Sequence, residues 1–434
     1  MAMLGVGGSI GTGLLLGSGA AVQIAGPAVI LTYIVGAFLA GTVTFALGEM
    51  SSVHPSAGSF GVYADLYLHP WAGFVARYGY WVSVVSAIGA ELVAAATYAQ
   101  FWFPKLPGVV FVVLFGGALL YLNLRTVGDY GRFEYWFAML KVVTILFFIL
   151  FGAAFLFSGR VAPQYHSGGG FFPHGMGAAF MAVSFPLFSF LGIEMVAISS
   201  EEARKAAEIP RATRIMFAML AFIYVGATAV LVGVIPWNRV GVSQSPFVSV
   251  FTVAGLPAAS QVMNFIVLTA ALSGGNANLY VAGRMLFSLA RDGYAPKSVA
   301  RVTNSGSPLP ALLLSTFGIA VAIALELYSP QKAFLYILGA SLFGGMLAWW
   351  VTLAAHISFR RRLTPEKLTL LPMRSPGGAV MSAIGFLGIA TAIGCTWWFP
   401  QTRITLQTGI PFLLLLSLAY LLTRKRLRSG TISS

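Results

Sequence analysis

Apolar runs long enough to cross a bilayer follow one another along nearly the whole chain. They lie near residues 2–21, 27–50, 71–99, 108–124, 134–157, 175–199, 215–236, 258–290, 310–327, 333–357, 379–399 and 406–423. About 20 consecutive apolar residues span the hydrocarbon layer as a helix. In lipid only helices and closed barrels satisfy every backbone polar group. Twelve such runs predict an all-α polytopic membrane protein with about 12 transmembrane helices. The composition agrees: 58% of residues are hydrophobic and 9% are charged, against about 25% charged in a soluble domain. The polar stretches near 160–174, 200–214 and 360–378 are too short to build a core of their own. Residues 1–434 are therefore expected to form a single membrane-embedded domain.

The net charge of +14 raises the question of nucleic acid, but the distribution argues against it. The basic residues fall in short clusters between apolar runs. With both termini in the cytoplasm, eighteen of the 26 Lys and Arg residues lie in inside loops and five in outside loops, the bias of a positive-inside topology. The expected place is the cytoplasmic membrane, crossed many times. Phe101-Trp102-Phe103 and Trp397-Trp398-Phe399 fit aromatic belts at the outer interface. The runs Arg360-Arg361-Arg362 and Arg424 to Arg428 fit topology anchors that touch anionic lipid. The single cysteine, Cys395, excludes an intramolecular disulfide and a cysteine metal site. His54, His69, His166, His174 and His356 make no metal spacing. No metal, cofactor or nucleic acid is expected, and the sequence sets no oligomeric state. The first apolar run begins at residue 1 without a basic leader, so a cleavable signal peptide is not expected.

Two runs are poorly suited to continuous helix. The first reads Gly5-Val6-Gly7-Gly8-Ser9-Ile10-Gly11-Thr12-Gly13, five glycines in nine residues, each costing about 1 kcal/mol relative to alanine. The sixth reads Phe185-Pro186-Leu187-Phe188-Ser189-Phe190-Leu191-Gly192-Ile193-Glu194. These weak points begin two blocks of five spans, about 1–157 and 175–357, with two further helices at about 379–424. Five is odd, so the second block enters from the opposite side, which makes an inverted repeat. Paired interruptions in two such halves point to a transporter's binding site. Free N–H groups at a break suit a carboxylate, free C=O groups suit an ammonium, and a zwitterionic amino acid carries both. A plainer reading is that the glycines allow close helix packing.

Several charges lie inside these runs, and three of them stand well within a span. Lys141 is the only charge between Glu134 and Arg160. An ammonium in hydrocarbon costs roughly 2.5–3.5 kcal/mol, so it is expected to face the bundle interior and to move ions or protons, or to serve as a fixed countercharge for Glu91 or Glu194. Glu194 follows the second break; it could bind a substrate ammonium, relay protons or brace the unwound backbone. Glu91 is mid-span in the third run, poised for substrate contact or for pairing within the bundle. Glu49, Arg77 and Arg284 lie near cytoplasmic ends and suit structural or inner-gate roles.

The segment GGSIGTGLLLGSG at 7–19 resembles the first helix of the amino acid–polyamine–organocation superfamily. FSFLGIE at 188–194, EEARKAAEIPRA at 201–212, GEM at 48–50, PSAGSFGVYA at 55–64, EYWFAMLKVVTI at 134–145 and LSGGNANLYVAGRMLFSLARDGYAPK at 272–297 resemble its bacterial amino acid permease branch, in the family's order. The resemblance implies a LeuT-type five-plus-five inverted repeat with two C-terminal helices and with helices 1 and 6 discontinuous. It implies amino acid uptake, commonly with a proton. A substrate carboxylate would meet amides around Gly11, Thr12 and Gly13. Its ammonium would meet carbonyls near Ser9, Ile10, Phe188 and Ser189, beside Gly192, with Phe190 as a gate. In sodium-coupled relatives a Na⁺ lies between the first and eighth helices. Proton-coupled members place a fifth-helix lysine there, and Lys141 resembles it, with the first break and Ser273 as neighbours. Family members usually carry a basic tail before the first helix. Here only Met1 to Leu4 precede the glycines, so a start recorded too far downstream or a degraded gene is expected.

The expected function is secondary active transport: proton-coupled uptake of a neutral or aromatic amino acid, through a pocket lined by Phe188, Phe190, Ala94 and the Leu342 region. An amino acid or amine exchanger on the same fold and a non-transporting amino acid sensor are the alternatives. No HExxH, Walker or GxSxG-with-His pattern supports an enzyme.

Overall fold

Glycine and proline set the boundaries of the helices. A computed structural model describes residues 2–56, 58–125, 130–198, 208–303, 308–400 and 402–430. Among these every regular element is helical. The first crossing comes in three pieces, α1 (Ala2–Ser9), α2 (Thr12–Leu15) and α3 (Gly17–Ala25), and α4 (Val29–Val53) follows a 3-10 turn over Gly26–Ala28. Gly26 makes that corner at φ +61°, and its α-carbon faces the ring of Pro173 so closely that no β-carbon would fit. The short α5 (Ser59–Tyr67) precedes α6 (Pro70–Gln100), which opens on a proline at its first position. Next come α7 (Gly108–Arg125), α8 (Tyr130–Phe157), and the sixth crossing in pieces, α9 (Gly175–Met181), α10 (Ser184–Phe190) and α11 (Met195–Ile198). The rest are α12 (Glu208–Val234), α13 (Pro246–Val253), α14 (Pro257–Arg291), α15 (Leu309–Ser315) with α16 (Phe317–Tyr328), α17 (Pro330–Arg361), α18 (Pro365–Thr369), α19 (Gly378–Cys395) and α20 (Ile404–Gly430).

Among the described residues nine helical stretches are long and apolar enough to cross a membrane. The short α7 and the broken first and sixth crossings complete the twelve expected. The fold is the LeuT-type five-plus-five arrangement with helices 1 and 6 discontinuous. Three elements escaped the sequence reading: α5, α13 and α18, of 9, 8 and 5 residues. Each is far below the length that a bilayer-crossing window detects.

The long α6 and α17 form the centre of the bundle. They touch backbone to backbone through glycine: a β-carbon on Gly344 would overlap the Gly79 carbonyl, and one on Gly79 would lie 3.4 Å from the Gly344 carbonyl. Small residues at such crossings let helices approach without side chains between them. At the periphery α19 and α20 expose Leu387, Leu414, Leu415 and Leu422, as lipid requires.

One end of the bundle is rich in arginine. There Arg77 pairs with Asp65 of α5 at 2.7 Å and with Asp292, just past α14, at 2.8 Å. Glu49, fully buried, meets His356 at 3.2 Å, Arg360 and the Ser375 N–H. Arg284 stacks over Tyr280 at 4.1 Å. Arg204, Lys205 and the rest of 199–207 lie outside the described residues. So do the side chains of Arg125, Arg132, Glu134 and the basic tail from Arg424 to Arg428.

Candidate functional site: two broken helices around one cavity

The two interruptions face each other. In the first, α1 ends at Ser9, Gly11 is extended at φ −135° and ψ −159°, and α2 restarts at Thr12. In the second, α10 ends at Phe190, Leu191 turns out of the helix at ψ 135°, and Gly192 sits at φ +110°. Glycine fits both the backbone and the space there. A β-carbon on Gly192 would lie 2.9 Å from the Gly8 carbonyl and the Ser9 hydroxyl. One on Gly13 would lie 2.8 Å from the Ser189 α-carbon and 2.9 Å from the Phe188 ring. The glycines are therefore contact surfaces between the breaks as well as helix breakers.

Side chains from other helices hold the loose ends. Lys141 of α8, 2% exposed, donates to the Gly7 carbonyl at 3.1 Å. Tyr224 of α12 donates to the Ser9 carbonyl at 2.6 Å, and Ser9 donates back to Gly5 at 2.9 Å. A cation and a hydroxyl thus cap the C-terminal end of α1, where carbonyls lose their helical partners. Glu91 of α6 accepts the Thr12 N–H at 3.1 Å through Oε1. It sits in a slot made by glycine on two sides: β-carbons on Gly11 or Gly274 would run into its carboxylate. Its Oε2 and the Thr12 hydroxyl are buried without a hydrogen-bond partner. On the other break, Glu194 accepts the Gly192 N–H at 3.0 Å and the Trp349 indole N–H at 3.1 Å, with the Tyr80 hydroxyl also in reach. Ser189 donates to the Phe185 carbonyl at 3.1 Å and meets the Tyr33 hydroxyl at 3.2 Å.

Between the breaks lies a cavity of about 60 Å³. Its walls are Gly8, Ser9, Gly11 and Gly13; Phe188, Leu191, Gly192, Glu194 and Met195; Tyr80, Ser83, Val84, Ala87 and Glu91 of α6; Ala277, Asn278 and Val281 of α14; and Ser341 of α17. Of the residues expected at the site, Ser9, Gly11, Gly13, Phe188, Gly192, Glu194 and Glu91 line this cavity.

The other expected residues lie elsewhere. Ile10 and Thr12 are buried at the first break, outside the lining, and the Thr12 amide expected to be free for substrate is held by Glu91. Ser189 packs behind Phe188 against Gly13. Phe190, expected as a gate, is fully buried against Tyr224, with ring centroids 4.7 Å apart, and the ring at the cavity is that of Phe188. Ala94 is buried away from the cavity; Leu342 is buried outside the lining, and its neighbour Ser341 supplies that wall. Lys141 makes no ion pair with Glu91 or Glu194 among the described residues; its bond is to backbone. Ser273 is buried on α14, one residue before the glycine that faces Glu91. The sequence reading missed Tyr33, Tyr80, Ser83, Tyr224, Asn278, Ser341 and Trp349. Counting back from Glu91 by helical steps of three and four reaches Ala87, Val84 or Ser83, and Tyr80, a signal that was available.

A multi-pass helical bundle with two broken helices meeting at one cavity of mixed polar and apolar lining defines a membrane transporter. The sequence model described as amino acid permease matches residues 1–426, and the chain belongs to that family. It is 35% identical to a probable threonine/serine transporter, YbxG, of Bacillus subtilis, over 96% of this chain and 92% of the relative. It is 36% identical to the gamma-aminobutyric acid permease of Bacillus subtilis (91% and 86%). It is 38% identical to the aromatic amino acid transport protein AroP of Escherichia coli K12 (83% and 80%). In three dimensions it is similar to a manganese transporter of Eremococcus coleocola, with a TM-score of 0.61, 14% identity, and coverage of 99% of this chain and 94% of that one. At that identity the likeness concerns the fold. Members of the family are permeases, so the chain is a transporter of amino acids in the cell membrane and not an enzyme.

Proposed function

We propose that the protein imports a neutral or aromatic amino acid together with a proton, with both termini in the cytoplasm. Residues 1–434 form one permease domain in this reading, with halves at about 1–157 and 175–357. The observation that carries it is the pair of opposed breaks sharing one cavity. The substrate carboxylate takes the N–H groups at Gly11 and Gly13, beside the Thr12 amide that Glu91 caps. The ammonium takes carbonyls at the ends of α1 and α10, with the unpartnered Glu91 Oε2 facing it. Lys141 supplies the coupling. Protonated, it fixes the end of α1 through the Gly7 carbonyl. After releasing its proton it holds that carbonyl without a charge, and α1 is freer to move. A hydrogen bond to a charged group contributes about 1.5–3 kcal/mol and a neutral one about 0.5–1.5 kcal/mol, so loss of the charge costs roughly 1–1.5 kcal/mol, enough to shift a two-state equilibrium by about five- to twelvefold.

The test is uptake into proteoliposomes with and without an inward proton gradient. Lys141→Ala is expected to lose gradient-driven accumulation while retaining exchange of labelled for unlabelled substrate. Full accumulation by Lys141→Ala would remove the coupling role.

A further inference from the structure

Once the breaks hold the two ends of a zwitterion, the rest of the cavity meets its side chain. That wall comes from α6, α14 and α17. We infer that it selects a small neutral amino acid whose side chain carries a hydroxyl or a carboxamide, and that Asn278 recognises that group. The inference rests on the reading of this cavity as the substrate site.

Size comes first. About 60 Å³ is room for roughly four or five waters. The wall beside it is stiff. Ser341 donates to the Ser83 carbonyl at 2.8 Å, and the two hydroxyls lie 3.3 Å apart. Close by, α6 and α17 are already in backbone contact through Gly79 and Gly344. Leu191 closes the same side, so near Gly345 that a β-carbon there would lie 2.9 Å from its Cδ1. Packed backbones do not part for a ring as side chains yield for a methyl group. A small amino acid fits with side-chain adjustment, whereas an aromatic one requires helices to separate.

Polarity comes second. Three asparagines lie on α14. Asn264 donates to the Tyr98 carbonyl at 2.8 Å, and Asn276 accepts from Asn123 at 2.7 Å. Asn278 has no hydrogen-bond partner among the described residues and lines the cavity. A carboxamide both donates and accepts, so it matches a hydroxyl or another carboxamide. No cationic side chain lines the cavity to receive an acidic one.

The experiment is competition for uptake in proteoliposomes by serine, threonine, asparagine, alanine, phenylalanine and tryptophan. Serine, threonine or asparagine is expected to compete at least tenfold better than phenylalanine or tryptophan. Asn278→Ala is expected to lower kcat/KM for serine relative to alanine by about tenfold or more, and Asn278→Ser to restore part of the ratio. Melting curves check that each variant folds. Stronger competition by phenylalanine or tryptophan, or an unchanged serine-to-alanine ratio in both variants, overturns the inference and leaves the cavity as the site. Absence of competition by any amino acid overturns the reading of the cavity, and the inference with it.

Discussion

Replacing Glu194 with glutamine tests whether a buried carboxylate holds the second break together. Glu194 is 1% exposed, and its oxygens accept from the Gly192 N–H at 3.0 Å and the Trp349 indole at 3.1 Å. Glutamine keeps the shape but presents one oxygen and one NH₂. Whichever way it turns, its NH₂ faces an N–H donor and one buried donor loses its acceptor. An orphaned buried donor costs about 1–3 kcal/mol, and the surviving bond loses its charge assistance. The sum is about 2–4 kcal/mol, or roughly 30- to 700-fold in the equilibrium that keeps the turn formed. Glu194→Gln should therefore lower the melting temperature of the purified protein by about 2–6 °C. Trp349→Phe removes one of the donors to Glu194, so the double variant should be less destabilised than the sum of the singles, by about 0.5–3 kcal/mol. An unchanged melting temperature with additive singles would refute bracing. A rise in KM at unchanged stability would instead point to direct contact with the substrate ammonium.

Two further outcomes follow from the geometry. Gly192→Ala puts a side chain at φ +110° and a β-carbon 2.9 Å from the Gly8 carbonyl; strain of about 1–3 kcal/mol together with that contact should abolish uptake, and full uptake would show that the breaks do not pack as described. Asp65 is pushed up to about 6 by burial, with Asp292 adding to the rise and Arg77 opposing it. The folded state thus keeps this proton to higher pH than the unfolded chain, whose carboxyl titrates near ~3.9, and stability from this group is lost as pH rises between about 4 and 6. Melting temperatures of Asp65→Asn should vary less across that window than those of the unaltered protein, and equal slopes would contradict the assignment.

The breaks were legible because glycine destabilises a helix wherever it stands, so a run of it can be read without knowing any neighbour. Lys141, Glu91 and Glu194 were legible for a similar reason: a charge inside an apolar run is costly whatever surrounds it. Their partners were not. Glu91 caps an amide 79 residues away, and Lys141 holds a carbonyl 134 residues away. Nothing local distinguishes those bonds from an ion pair between the two side chains. Phe188 and Phe190 are two positions apart on α10, and at 3.6 residues per turn such a pair points to nearly opposite sides, so with Phe188 at the cavity the Phe190 ring turns away from it. Neutral polar residues inside continuous helices were open to the same count. Asn276 and Asn278 are two positions apart on α14, and at 3.6 residues per turn such a pair points to nearly opposite sides. Once one of them ties α14 to α7, the other must face away from α7. The cavity side of α14 could therefore have been reached by spacing alone, had uncharged polar residues been weighed alongside the charged ones.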